Sequence, residues 1–437
     1  MEERKVIIHI NRLGPIVDSE IELKPFMVFS GDSGVGKSYA ALLVHYVYRV
    51  LCNSNDLMPF FEPYLVQHNY FEDISFEEEE TDELLFDFTL NDFETWCNRS
   101  AVSYLEDMLG FGGLEADFQI HFYGMPDIRY EFRMRRNRIE IGDDPRWLYT
   151  LYIPGFNGMN TSNYLINGGS TFYGVVFHMI LSQCYSMKLY QTFLLPPSRG
   201  ALVGLSDVAR SSILASMGMY REFLEDLSNI KATKTSDTKQ LDRLNALSHK
   251  MIDGQIHLRN SELFYAMDTC EIPITAAASS IKELAPFALM MQKGVLSEYA
   301  ILFEEPESHL HPELQIKVAD LLAFAHQVGS HIQITTHSDY LLRRLNDLIR
   351  LDELKTHLSE EEYLSFCQAN LYNPEITLPS SAVAALYFER EGEAVKIRKQ
   401  EVEDGIPFDT FKSAVNKQLL SSVKLSDKLE EIRGCGN

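Results

Sequence analysis

Gly31-Asp32-Ser33-Gly34-Val35-Gly36-Lys37-Ser38 matches the pattern G-x-x-x-x-G-K-[ST] at each fixed position. Phe26 to Ser30, just before it, is an apolar run of strand length, and Ala40 to Val50, just after it, reads as a helix. Strand, glycine-rich loop and helix in that order give the motif its physical sense. Glycines let backbone N–H groups close around phosphate oxygens, and the helix N-terminus adds a positive dipole end. Lys37 is expected to reach the β- and γ-phosphates of a nucleoside triphosphate, and Ser38 to ligate Mg²⁺. Gly31, Asp32, Ser33, Gly34, Val35, Gly36 and Tyr39 complete the expected nucleotide-binding set.

Two later stretches supply what such a loop needs. Tyr299 to Phe303 is a short apolar run, and Glu304-Glu305-Pro306-Glu307-Ser308-His309-Leu310-His311-Pro312 follows it. The paired carboxylates stand at the C-terminal end of a strand, where open α/β sheets place ligands. Adjacent strand residues point to opposite faces. That alternation assigns Glu304 to the metal side and Glu305 to an attacking water. Glu304 stands where an aspartate is usual, so its extra methylene favours metal contact through a water. Ile332-Gln333-Ile334-Thr335-Thr336-His337-Ser338 is a further strand ending in small polar residues and a histidine. His337 is expected to hydrogen-bond the γ-phosphate or the attacking water. Glu305 and His337 are thus the candidate catalytic residues, and Ser38 and Glu304 the candidate metal ligands.

Together these three elements resemble the ATP-binding-cassette heads of the SMC, RecF and OLD ATPases. The string from Glu305 to Pro312 looks like the Walker B and D-loop of AAA ATPase families found in bacterial defence operons. Ile7 to Phe29 is similar to the first strands of such heads, and Ala382 to Gly405 to their C-terminal strands. Leu195-Pro196-Pro197-Ser198-Arg199 looks like a P-x-S-R segment common among them. Ala277 to Leu284 occupies the place of the signature motif, without the L-S-G-G-Q pattern of transporters. Ser280 to Glu283 also reads as a capping box, S-x-x-E, opening a helix. No clear Q-loop glutamine can be picked out; Gln67 is the nearest candidate.

The resemblance covers most of the chain, weakest over residues 51–150 and 206–262. It looks most like the standalone ATPases of PARIS and Septu-type antiphage systems, retron-linked Septu relatives included. What it implies is an α/β P-loop NTPase, an ABC/SMC-like head that hydrolyses ATP to ADP and phosphate with Mg²⁺. It also implies an ATP-sandwich homodimer or higher oligomer. Ser279, Ser280 and Lys282 of one subunit would then face the γ-phosphate held by the other. The implied role is sensor or regulatory subunit, controlling a separate effector nuclease from the same operon, with a phage protein or DNA as trigger. The alternative is a RecF- or RecN-like DNA-repair or DNA-maintenance ATPase that binds DNA directly.

Composition bounds these readings. The chain has 437 residues, 45% of them hydrophobic, enough for a large core. No run of about 18 apolar residues occurs. The first 30 residues carry charges throughout, unlike a secretory signal. A cytoplasmic protein without membrane partners is expected. Six cysteines (Cys52, Cys97, Cys184, Cys270, Cys367, Cys435) are scattered without C-x-x-C pairs, which argues against a zinc hook or a disulfide scaffold. The formal charge of −24 opposes a broad nucleic-acid surface. Arg133, Arg135, Arg136 and Arg138 form the one notable basic cluster, read as the rim of a hairpin: solvated, or a contact for nucleic acid or a partner. The acidic run Glu77 to Glu80, with Asp82 and Glu83, reads as a solvated loop. His309 and His311 have metal-ligand spacing, but Pro312 and the D-loop context favour turn structure. No nuclease or G-x-S-x-G motif is visible.

The sequence divides into three parts. Residues 1–204 form the N-terminal part of the head, with a β-rich subdomain at about 84–152. Residues 205–269 form a short helical lid or insert, with helical periodicity over 206–252 and a tip near Thr235 to Thr238. Sustained heptads are absent, so no long coiled-coil arm is expected. Residues 270–437 complete the head, with the signature-like segment, the paired carboxylates, His337, two strands and a last helix.

Overall fold

Phe26–Gly31 and Tyr299–Glu304 are buried at every position, which is what a strand covered on both faces requires. They are central members of a nine-stranded mixed sheet in a computed structural model of the chain. The structure describes residues 4–66, 82–126, 128–141, 144–152, 169–185, 187–205, 218–235, 241–267, 269–407 and 409–434. Its strands are β1 (Lys5–Leu13), β2 (Ile16–Glu22), β3 (Phe26–Gly31), β4 (Asp82–Phe88), β5 (Ala116–Tyr123), β6 (Tyr130–Ile141), β7 (Asp144–Tyr152), β8 (Gln191–Leu195), β9 (Gln255–Arg259), β10 (Glu262–Ala266), β11 (Glu271–Pro273), β12 (Tyr299–Glu304), β13 (His331–Thr336), β14 (Val383–Glu391) and β15 (Ala394–Gln400).

The main sheet runs β5-β1-β2-β15-β14-β3-β13-β12-β8. From β14 to β8 every pairing is parallel. β1, β2 and β5 pair antiparallel and form a wing, joined to the parallel part through the β14–β15 hairpin. Helices cover both faces. The Lys37–Cys52, Leu90–Leu109 and Gly169–Tyr185 helices close one core against Met27, Phe29 and Leu302. The Ser279–Lys293, Pro312–Gln327 and Asp339–His357 helices close the other against Val28, Ile301, Phe303 and Ile334. This is an α/β fold: a mixed sheet, parallel from β14 to β8, with helices on both faces.

Several local expectations change. Residues 84–152 are not a separate β-rich unit. Leu90–Leu109 is a 20-residue helix, capped by Thr89 with Asp92 in a capping box. Phe93, Cys97, Ala101 and Leu105 are buried at four-residue intervals, so one stripe faces the core. β5 belongs to the main sheet, while β4, β6 and β7 form their own. Arg133 to Arg138 lie along β6 and not at a hairpin rim; their side chains are outside the described residues. Gln67 and Glu77 to Glu80 are outside them too, and Asp82 and Glu83 open β4.

The described part of 205–269 holds two helices, Gly218–Ala232 and Leu241–Ile252, followed by β9 and β10. With β11 these strands make a three-stranded antiparallel sheet that the helical periodicity had not indicated. The first helix docks on the body: Glu222 takes His45 at 3.0 Å and also Arg49, and Asp226 accepts from Leu194 N–H at 3.1 Å on edge strand β8. Among the described residues, no helix is long and apolar enough to cross a membrane.

Candidate functional site

The site forms where three parallel strands end side by side. β13 lies between β3 and β12, with Thr335 opposite Glu304 on one side and Phe29 on the other. The glycine-rich loop leaves β3, the paired carboxylates end β12, and His337 follows β13. A cavity of about 420 Å³ opens there, lined among others by Pro15, Lys37, Ser38, Tyr39, Glu305 and His337. Gly31, Gly34 and Gly36 all have positive φ (143°, 73° and 88°), so the loop curls back over the start of the Lys37–Cys52 helix. Gly36 is the N-cap of that helix and has no side chain to fill the cradle.

Lys37 is 7% exposed, and its Nζ donates to the carbonyls of Gly31 (3.1 Å) and Asp32 (2.7 Å). Burial pulls its pKa down to about 8, opposed first by Glu305. A desolvated ammonium held on the loop's own carbonyls is poised to bind an anion. Ser38 Oγ donates to Glu304 Oε2 at 2.5 Å. Glu304 is 2% exposed, and its Oε1 has no hydrogen-bond partner. Burial raises its pKa to about 7, against the Ser38 hydrogen bond. A buried carboxylate oxygen without a donor, beside a serine hydroxyl, is a donor set that fits a hard divalent cation.

Glu305 reaches the same cavity by a route that strand alternation does not describe. It lies just past β12 with φ of +44°, a left-handed conformation. Its N–H donates to Thr335 O (3.0 Å) and Thr335 Oγ1 (3.2 Å), and its Oε2 accepts from Ser308 Oγ at 2.9 Å. The turn swings its half-buried carboxylate into the cavity while Glu304 stays buried against Ser38. Glu307, not singled out from sequence, is half-buried and accepts from Thr336 Oγ1 (2.8 Å) and His337 N–H (2.6 Å). It ties the turn after β12 to the turn after β13. Burial lowers the pKa of the His337 ring, and Lys37 adds to that.

The signature-like residues lie elsewhere. Ser279 and Lys282 line a second cavity of about 340 Å³ with Ser198 and His309, apart from the P-loop cavity. The capping box is not formed. The helix begins at Ser279 with Ala278 as N-cap and no side-chain cap. Glu283 is drawn inward, 3% exposed, to an ion pair with Arg199 at 3.4 Å. Pairing the buried arginine's charge favours this inward position over an exposed capping bond.

Arg199 is wholly buried. Its guanidinium donates to the carbonyls of Glu283 (3.0 Å), Pro196 (3.1 Å), Glu304 (2.8 Å) and Glu305 (3.4 Å). It lies 4.3 Å from the Phe303 ring centroid. Burial brings its pKa down to about 10 despite the surrounding carboxylates. The following residue has to be small: a Cβ on Gly200 would stand 2.7 Å from Glu283 Oε1.

A family described as an AAA ATPase domain matches residues 208–342. Among solved structures, the chain is similar to an SMC head bound to the C-winged helix domain of ScpA. That match has 12% identity and a TM-score of 0.39 and covers 92% of this chain and 98% of that one. The SMC head domain from Thermotoga maritima matches at 10% identity and TM-score 0.34, over 92% of this chain and 100% of that one. An SMC head domain with an extended coiled coil, bound to the C-terminal domain of ScpA derived from Pyrococcus furiosus, matches at 12% identity and TM-score 0.38. It covers 99% and 100% of the two chains. No curated protein matches the sequence. Fold and site define an α/β protein with the phosphate-binding loop and paired carboxylates of a P-loop nucleotide site.

Proposed function

We propose that this chain is an ATPase that closes as a pair around ATP and serves as the sensor of a cytoplasmic antiphage system, controlling a separate effector nuclease. One observation carries the ATPase part: Lys37, Ser38, Glu304, Glu305 and His337, from three distant segments, meet at the ends of β3, β12 and β13. The sensor role rests on the likeness of the Glu305–Pro312 string to PARIS and Septu-type ATPases. The strong negative charge favours a protein partner over a broad DNA surface. The division into 1–204, 205–269 and 270–437 belongs to the same reading.

In this reading the loop N–H groups and Lys37 hold the β- and γ-phosphates. Ser38 and Glu304 would hold Mg²⁺, which supplies charge neutralisation at the transferring phosphoryl group. Glu305 accepts a hydrogen bond from the attacking water and takes its proton as the new oxygen–phosphorus bond forms. The bond from the γ-phosphorus to the bridging oxygen breaks, and ADP leaves with that electron pair. His337 contacts the γ-phosphate. Ser279, Ser280 and Lys282 reach the site from the second subunit.

Two substitutions test it by nucleotide binding and phosphate release. Lys37→Ala is expected to lose ATP binding. Glu305→Gln is expected to keep binding and to lose turnover by about 10²–10⁴-fold. Normal turnover in Glu305→Gln would remove Glu305 from its role. Steep salt-dependent DNA affinity of the purified chain would favour the DNA-maintenance alternative.

A further inference from the structure

We infer that Arg199 is a positioning residue that couples the signature-like helix to the hydrolytic carboxylates, so that contact by one subunit on its partner's ATP is felt at Glu305. The inference rests on the ATPase reading above and adds a connection that reading does not contain.

The second cavity is where a partner's nucleotide would press, because it holds Ser279 and Lys282 at the start of the Ser279–Lys293 helix. That helix meets Arg199 through both the Glu283 carbonyl and the Glu283 carboxylate. On its other side the same guanidinium holds the carbonyls of Glu304 and Glu305. Those two carbonyls flank Glu305, the left-handed residue at which the chain leaves β12. A left-handed non-glycine residue persists only where its surroundings over-determine it. Here Thr335 holds the Glu305 N–H, and Ser308 N–H (3.0 Å) and Arg199 hold its carbonyl. One rigid planar group thus spans the signature-like helix, the Pro196 turn and the carboxylate turn. A shift of the helix cannot occur without moving it. A core salt bridge alone would not need this pattern, because Glu283 by itself could neutralise the charge. The four carbonyl acceptors are what fix the geometry.

Lysine keeps the charge but not the fork, and cannot span the separated acceptors. Arg199→Lys is therefore expected to stay folded and to associate on adding ATP as the wild type does. Its KM and ATP affinity should stay within about threefold, while kcat falls by about 10- to 100-fold, the scale of an ångström-level misplacement of a catalytic group. A residue that only stabilised the fold would lower melting temperature, ATP affinity and kcat together. Should Arg199→Lys not fold, Glu283→Gln keeps the backbone acceptor and removes the ion pair. It is expected to lower kcat by severalfold at unchanged KM. Wild-type kcat in Arg199→Lys, a parallel loss of affinity and turnover, or wild-type kcat in Glu283→Gln where the lysine variant does not fold, each overturns the coupling. Absence of turnover in the wild-type chain itself would instead remove the ATPase reading, and the coupling with it.

Discussion

Replacing either of two loop glycines separates steric necessity from mere motif matching. Gly31 has φ of +143°, and a Cβ there would stand 2.7 Å from the Phe388 carbonyl oxygen and 3.0 Å from Phe388 Cβ. Phe388 cannot step back, because it is paired to Gly31 on one side and to Ile397 on the other. Gly34 has φ of +73°, but a Cβ there meets nothing within 4 Å. Gly34→Ala therefore carries only the left-handed backbone cost, about 1–2 kcal/mol. Gly31→Ala adds overpacking of about 1–3 kcal/mol to backbone strain of about 1–3 kcal/mol. That strain has two outlets. If the loop holds its shape, the cost falls on the fold. Scaling from smaller domains, melting drops by about 1–2 °C per kcal/mol. If the loop yields, the N–H cradle is misaligned and ATP affinity falls about tenfold per 1.4 kcal/mol. Calorimetric melting without nucleotide and titration with a non-hydrolysable ATP analogue read both outlets. Gly31→Ala should show the larger combined loss. A Gly31→Ala protein matching the wild type in both, or a Gly34→Ala protein more damaged than it, would refute the reasoning.

Mixing Lys37→Ala subunits with Ser280→Arg subunits should restore turnover that neither has alone, since each mutant damages a different half of a shared site; silence on mixing, with both variants folded and associating, would end the trans role of Ser280. Asp226 offers a pH test: burial holds its carboxyl well above the usual 3.8, with Glu222 adding to that. A raised folded pKa means the folded chain keeps a proton that the unfolded chain has released, so stability declines as pH rises through the window above about 4. Asp226→Asn keeps an oxygen for Leu194 N–H and should melt higher than the wild type at pH 8, the gap closing towards pH 4; a gap independent of pH would mean that Asp226 is not proton-linked.

The motif stretches were legible because each fixes its own backbone. A strand followed by glycines and then a helix can only turn where β3 turns. The Leu90–Leu109 helix was equally local, with Thr89 and Asp92 as a start signal and a four-residue ladder from Phe93 to Leu105. Strand-like stretches on both sides hide it, because β-rich patterning dominates 84–152 as a whole. The role of Arg199 was not legible at all. Its acceptors lie at 196, 283, 304 and 305, and no spacing in the chain announces that these carbonyls converge. The capping-box reading of Ser280 to Glu283 failed for the same reason, since Glu283 has a partner 84 positions away that no local pattern contains.

The division of labour between two adjacent glutamates shows how much such distant contacts decide. Alternation along a strand predicts different faces for Glu304 and Glu305, one toward the metal and one toward the attacking water. In the fold the strand ends between them, and only Glu305 lines the cavity. Glu304, the last residue of β12, is sealed against Ser38, and its pKa rises to about 7 until a cation or a proton satisfies it. Glu305 turns left-handed, keeps access to the cavity and is braced from behind by Thr335 and Arg199. The single break in the strand gives neighbouring carboxylates different degrees of burial, and the buried Arg199 donates to the carbonyls of both residues.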